Sequence, residues 1–161
     1  MEKIGFGGGC HWCTEAVFQS LLGVENVEQG FIKAGPPHDS FSEAVLIEFD
    51  PAVIPLEVLI EVHLMTHAST SHHKMRGKYR SAIYVFDSRQ ASESQRALKI
   101  LEQGFDQPLV TQILENREFK LSDQRFQNYY LSNPDRPFCK SYIDPKLKLL
   151  TARFSSNFKT I

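Results

Sequence analysis

Ile4-Gly5-Phe6-Gly7-Gly8-Gly9-Cys10-His11-Trp12-Cys13-Thr14-Glu15 is the stretch from which the fold is read. A short strand, Ile4-Gly5-Phe6, runs into three glycines, and an apolar run at helical spacing follows in Ala16, Val17, Phe18, Leu21 and Leu22. Glycine lacks a Cβ, so this turn tolerates positive φ and close approach to whatever lies at Cys10. Cys10 falls at the N-terminal end of the helix, where unpaired N–H groups and the helix dipole stabilise a thiolate, the reactive form of the side chain. The residues alone leave other readings open: a small buried hydrophobe, a thioredoxin-like C-x-x-C pair of Cys10 and Cys13, or half of a zinc site.

Outward from that turn, Gly23 stops the helix and Val24 to Ile32 reads as a strand, followed by a loop over Ala34 to Ser40. Phe41 to Phe49 alternates, with Glu43, Val45, Ile47 and Phe49 on one face and Ala44, Leu46 and Glu48 on the other. If the first face is the core, Glu43 is buried and its acid form is favoured near neutrality; an edge carboxylate is the alternative. Pro55 starts a helix with Leu56, Leu59, Ile60 and His63 on one side. His67 to Lys78 is a polar loop whose histidines read as flexible and exposed, and no metal is expected there.

Tyr79 to Phe86 reads as a strand and Ser88 to Gln103 as a helix, capped by Ser88 and stopped at Gly104. Leu109 to Leu114 is a further strand, Ser122 to Leu131 a short aromatic-rich helix, and Pro145 to Phe158 a final helix beyond Cys139. Phe6, Phe49, Tyr84, Phe86 and Phe126 are assigned to the core, and Glu15 to the first turn of its own helix. The order strand, helix, strand, strand, helix, strand up to Phe86 predicts an α+β fold, a ferredoxin-like split β-α-β sandwich with a C-terminal extension. Residues 1–161 are read as a single domain, in which 87–161 wraps the 1–86 core.

Composition narrows the function classes. A chain of 161 residues can bury a useful core, and its 42% hydrophobic and 23% charged residues suit a soluble globular protein. A formal net charge of −1 gives no reason to expect nucleic acid as a partner. Nothing reads as a membrane span, and Met1 to Gly9 lacks the apolar core of a signal peptide, so a cytoplasmic location is expected. Three cysteines are too few for a disulfide scaffold and odd in number; in a reducing compartment they read as working thiols.

Four blocks, in order, resemble the class A peptide methionine sulfoxide reductases. Gly9-Cys10-His11-Trp12-Cys13-Thr14-Glu15 is similar to the family's Gly-Cys-Phe-Trp-Gly-x-Glu signature, and Ser42-Glu43-Ala44-Val45 to its His-Ala-Glu-Ala-Val strand. Tyr79-Arg80-Ser81-Ala82-Ile83-Tyr84 matches its Tyr-Arg-Ser-Ala-Ile-Tyr segment. Gln127 to Pro134, leading to Cys139, is similar to the segment with the recycling cysteine. The resemblance implies reduction of methionine S-sulfoxide, peptide-bound or free. Cys10 would attack the sulfur, Glu43 protonate the oxygen, Tyr79 hydrogen-bond it, and Trp12 hold the methyl group.

Cys10 would then become a sulfenic acid, condensed by Cys139 or Cys13 into a disulfide and reset by an external, thioredoxin-type reductant, with no bound cofactor. Departures cluster at the site. His11 replaces phenylalanine, where it lines the pocket beside Trp12 or turns to solvent, and Cys13 replaces glycine. The loops after Gly30 and before Tyr79 are short, the second oxygen-binding tyrosine is missing, and Lys74 stands where an aspartate is usual. A disulfide oxidoreductase using Cys10 and Cys13 is the alternative function.

Overall fold

The computed structural model describes residues 1–159. Six strands form one mixed sheet in the order β5-β4-β1-β3-β2-β6, and the helices pack against it, an α+β fold. The strands are β1 (Glu2–Gly7), β2 (Val24–Lys33), β3 (Ser42–Phe49), β4 (Ala82–Val85), β5 (Gln112–Glu115) and β6 (Glu118–Leu121). The helices are α1 (His11–Gln19), α2 (Leu56–Met65), α3 (Ser88–Leu101), α4 (Tyr129–Ser132) and α5 (Asp144–Arg153), the last preceded by a π turn over Cys139–Ile143. All neighbouring strands are antiparallel except β4 and β5. No helix among the described residues is long and apolar enough to cross a membrane.

Alternation in β3 decides which face meets the helices. Val45, Ile47 and Phe49 join Ile4 and Phe6 of β1, Val17 and Phe18 of α1, and Leu59 and Ile60 of α2 in the main core. Glu43 shares that face and is 7% exposed, so the edge-carboxylate reading does not hold. Ala44, Tyr84 and Ile32 form a smaller cluster with Ala34 and Ala82. Burying each Val, Leu, Ile or Phe among them stabilises the fold by about 1.5–3 kcal/mol and each alanine by less, so both faces contribute.

The C-terminal half departs most from expectation. β6 was not anticipated; it pairs with β2, where a Cβ on Gly30 would run into the Lys120 carbonyl. Asn128 sits at φ 55°, in the left-handed region, and breaks the expected helix over 122–131 into a 3-10 turn at Gln124–Phe126 and the short α4. The strand expected from Tyr79 begins only at Ala82, because Tyr79 N–H donates to the Met75 carbonyl at 2.8 Å and stays with the loop. Asp87, not Ser88, caps α3, its carboxylate accepting the Gln90 N–H at 2.8 Å. α1 ends at Gln19, and Gly23, at φ 91°, instead turns the chain into β2. Phe86 is 44% exposed rather than in the core.

Candidate active site

Cys10 is the N-cap of α1, with extended backbone (φ −60°, ψ 126°), and its carbonyl accepts the Cys13 and Thr14 N–H groups at 3.1 and 3.3 Å. Of the three glycines before it, Gly7 and Gly8 work by close approach and Gly9 faces open space; positive φ occurs among the described glycines only at Gly23. A Cβ on Gly7 would lie 2.9 Å from the Glu43 carbonyl oxygen, and one on Gly8 would enter the His67 ring. Half-exposed at this turn, the Cys10 thiol is held below its ordinary pKa. The largest cause is the hydrogen bond from Cys13, opposed by burial and by the Glu43 charge, with backbone N–H groups of Trp12 and Cys13 adding to the lowering. Cys13 is pushed strongly upward by the same contact and by burial, and so remains a donor. Cys10 is therefore the thiolate of the pair.

Behind the turn, His63 Nε2–H donates to the Gly7 carbonyl at 2.8 Å, and His67 stacks on His63 with ring centroids 4.2 Å apart. Burial lowers both, His67 to about 4, so both rings are neutral at neutrality and add no cation behind Cys10. His67 is thus fastened rather than flexible, with Nε2 2.7 Å from Ser81 Oγ; His72 and His73 are the exposed histidines of that loop.

Glu43 meets the same helix end. Its Oε1 accepts the His11 N–H at 3.1 Å, one residue beyond the nucleophile. Lys78 Nζ lies 3.7 Å from Oε2, and the Lys78 carbonyl accepts the Glu43 N–H at 2.9 Å, so the loop before β4 is pinned to the start of β3. Tyr79, half-buried, reaches the cluster through Lys78, whose Nζ is 5.2 Å from its ring centroid. Lys78 and Arg76 had no signal in the sequence, because each acts on its neighbours through tertiary contacts. Arg76 ties the loop to the turn through the Gly8 and Tyr79 carbonyls, both at 2.9 Å. Lys74 is exposed.

His11 is 6% exposed, which rules out the solvent-turned reading. Its ring lies over the cross-strand pair Phe31 and Glu43, edge-on to Phe31 at 5.1 Å. Trp12 points the other way, into an aromatic box: stacked on Tyr129 at 4.2 Å, with Phe126 and Phe138 at 5.5 and 5.3 Å. Its indole N–H is buried without a partner among the described residues.

The three cysteines converge. Cys13, Ala16, Cys139 and Ile143 form one apolar cluster on which Cys10, Tyr129, Tyr130 and Phe138 pack, and all three thiols are free. Burial raises the Cys139 thiol above its ordinary range. Glu15 is fully buried and serves another element than expected. Its carboxylate accepts the Asn128 and Tyr129 N–H groups at 2.9 and 3.1 Å and the Gln29 amide at 2.9 Å, tethering the start of α4 to α1.

Comparison with known proteins places the chain in a family. The chain is 34% identical to the peptide methionine sulfoxide reductase MsrA of Chromobacterium violaceum, over 96% of this chain and 97% of that protein. It is 32% identical to the MsrA of Deinococcus radiodurans, covering 98% and 84% of the two chains. Among solved structures, the fold is similar to methionine sulfoxide reductase A of Corynebacterium diphtheriae, with TM-score 0.71 at 21% identity over 83% and 75% of the two chains. It is also similar to Mxr1 of Saccharomyces cerevisiae in complex with Trx2, with TM-score 0.63 at 19% identity over 80% and 84%. The family model for peptide methionine sulfoxide reductases matches residues 2–158, and the chain belongs to that family.

Proposed function

We propose that this protein reduces the S epimer of methionine sulfoxide, in peptides and as the free amino acid, with Cys10 as nucleophile and Glu43 as proton donor. The observation that carries the reading is the meeting of a thiolate-favouring Cys10 and the buried Glu43 at one helix end, where the next residue's N–H, that of His11, donates to Glu43. Oxide is a very poor leaving group unless protonated, so the reaction needs both an electron-rich sulfur and an acid. In the first step the Cys10 thiolate, the sulfoxide and one proton give the thioether and a Cys10 sulfenic acid. The substrate sulfur gains two electrons and Cys10 loses them. Tyr79 steadies the oxygen, and Trp12 in its aromatic box holds the methyl group.

The sulfenic acid then condenses with a second thiol, losing water. Cys13 and Cys139 both lie in the cluster around Cys10, and we assign the final disulfide to Cys139. Cys139 is buried in this state, but the segment leading to it, residues 131–135, is exposed, and its opening would present the disulfide to a thioredoxin-type dithiol reductant. The yeast relative solved with Trx2 fits such a partner. The core that presents this chemistry, four strands in the order β4-β1-β3-β2 with helices α1 and α2 between them in sequence, supports a ferredoxin-like split β-α-β description with a C-terminal extension. The expected location is the cytoplasm.

The test is a single turnover by the prereduced protein, without added reductant, on each sulfoxide epimer. Methionine from the S epimer, at one equivalent or more per chain, is the expected result. No methionine, together with reduction of a protein disulfide that survives loss of Glu43, would favour a Cys10 and Cys13 disulfide oxidoreductase instead.

A further inference from the structure

His11 is a titratable ring buried against the acid of the site, and the reaction as described gives it no part. Its two nitrogens are not equivalent. Nδ1 lies 2.7 Å from the Gly30 carbonyl, which only accepts, so Nδ1 carries a hydrogen. In the neutral ring Nε2 therefore holds a lone pair, and it faces Glu43 Oε1 at 3.5 Å, both side chains being less than a tenth exposed. A carboxylate and a bare ring nitrogen in that position present two acceptors to each other. One proton between them removes the conflict, whether written as the acid with neutral imidazole or as carboxylate with imidazolium.

We propose that His11 and Glu43 hold one proton in common, and that His11 is the positioning residue that keeps it at Oε1 until the sulfoxide oxygen takes it. This rests on the reductase reading above. The other groups facing the pair fit that role. From the loop before β4, Lys78 stands at Oε2 and Tyr79 lies beside Lys78; from β2 come only the Gly30 carbonyl and the Phe31 ring; from the start of α1 comes the Cys10 thiolate. Burial, the largest influence on His11, disfavours its imidazolium, and so does Lys78, while Glu43 and the Gly30 carbonyl favour it. The ring therefore serves chiefly as the acceptor that holds the proton on Glu43.

In the step itself the shared proton forms an O–H bond on the departing oxygen, leaving Glu43 as carboxylate and His11 neutral. After the thioether leaves, one proton from water reloads the pair. The remaining electron flow is that of Cys10 becoming a sulfenic acid.

The test is the pH profile of the first-turnover rate in wild type, His11→Phe and His11→Gln, with histidine ring-nitrogen NMR of the Cys10→Ser protein with and without Glu43→Gln. The fall in rate at high pH is expected to begin at lower pH in His11→Phe, with a rate about tenfold down above neutrality. His11→Gln, which keeps an acceptor, should recover part of the loss. By NMR, His11 should be the Nδ1–H tautomer and its titration should change when Glu43 becomes Gln. A His11→Phe profile that superimposes on the wild type would overturn the proposal, and so would His11 resonances indifferent to Glu43→Gln. A wild type that forms no methionine while His11 and Glu43 still titrate together would refute the reductase reading and leave the shared proton standing.

Discussion

The turn at Gly7–Cys13 and the segment from Ser122 to Ile143 each carry thiols into one cluster, and they are built in opposite ways. The first is clamped from behind by β1, β3 and two neutral histidines, and its Cys10 is held toward the thiolate. The second consists of short turns and one helical turn, is fastened by the buried Glu15 and Gln29 network, and carries a thiol held toward its protonated form. The difference separates two demands. Attack on a sulfoxide needs sulfur, acid and methyl pocket held to within fractions of an ångström, whereas recycling needs a thiol that travels. Glu15 stands at the seam, on the clamped helix yet capping the other segment.

The contrast breaks first at the clamped end. Cys10→Ser should abolish methionine formation, a loss on the order of 10⁴ or more, read in a single turnover. Glu43→Gln should slow the same step by about 10²- to 10⁴-fold while sulfenic acid supplied by peroxide is still resolved at the normal rate, measured by thiol titration. At the other end the effects invert. Cys139→Ser should leave the first turnover intact and cut thioredoxin-driven steady-state turnover by about tenfold or more, with disulfide mapping showing which bond remains.

Smaller effects sharpen the comparison. Cys13→Ala removes the principal support of the Cys10 thiolate, so the pH midpoint of Cys10 alkylation should rise toward that of an ordinary thiol, followed by mass spectrometry. Glu15→Ala leaves two part-buried backbone N–H groups without their acceptor and should cost about 1–2 kcal/mol, seen as a lower Tm and earlier proteolysis within 122–143. Burial holds Glu15 above the usual carboxyl range, so the folded state binds its proton more tightly than the unfolded chain does. Its contribution to stability is then fully present below the ordinary glutamate pKa and is lost as pH rises through the raised folded value. Comparing Tm of wild type and Glu15→Gln across the acid range checks that sign.

How much was legible follows the same division. β3 alternates cleanly, so Glu43 could be seen to share a face with Val45, Ile47 and Phe49, but which face is the core depends on how α1 and α2 pack on the sheet. The place of Cys10 at a helix N-terminus was legible because strand, glycines and apolar helix are contiguous in sequence. The joints of the second region are not contiguous. Glu15 and Asn128 are 113 residues apart, and the left-handed Asn128 that breaks a helix-like run carries no periodic signal. His11 was visible only as a polar residue in an apolar motif; what it faces depends on the pairing of Phe31 with Glu43 across two strands. Lys78 likewise acquires its partner only when its loop docks on β3.

The most direct test of the central claim is an intact-mass and peptide-mapping measurement on prereduced Cys13→Ser, Cys139→Ser protein after one exposure to peptide methionine S-sulfoxide. One oxygen atom gained at Cys10 for each methionine formed, with both losses appearing together in Glu43→Gln, is the predicted result. Methionine formed without oxidation of Cys10, or at an unchanged rate in Glu43→Gln, would contradict the account.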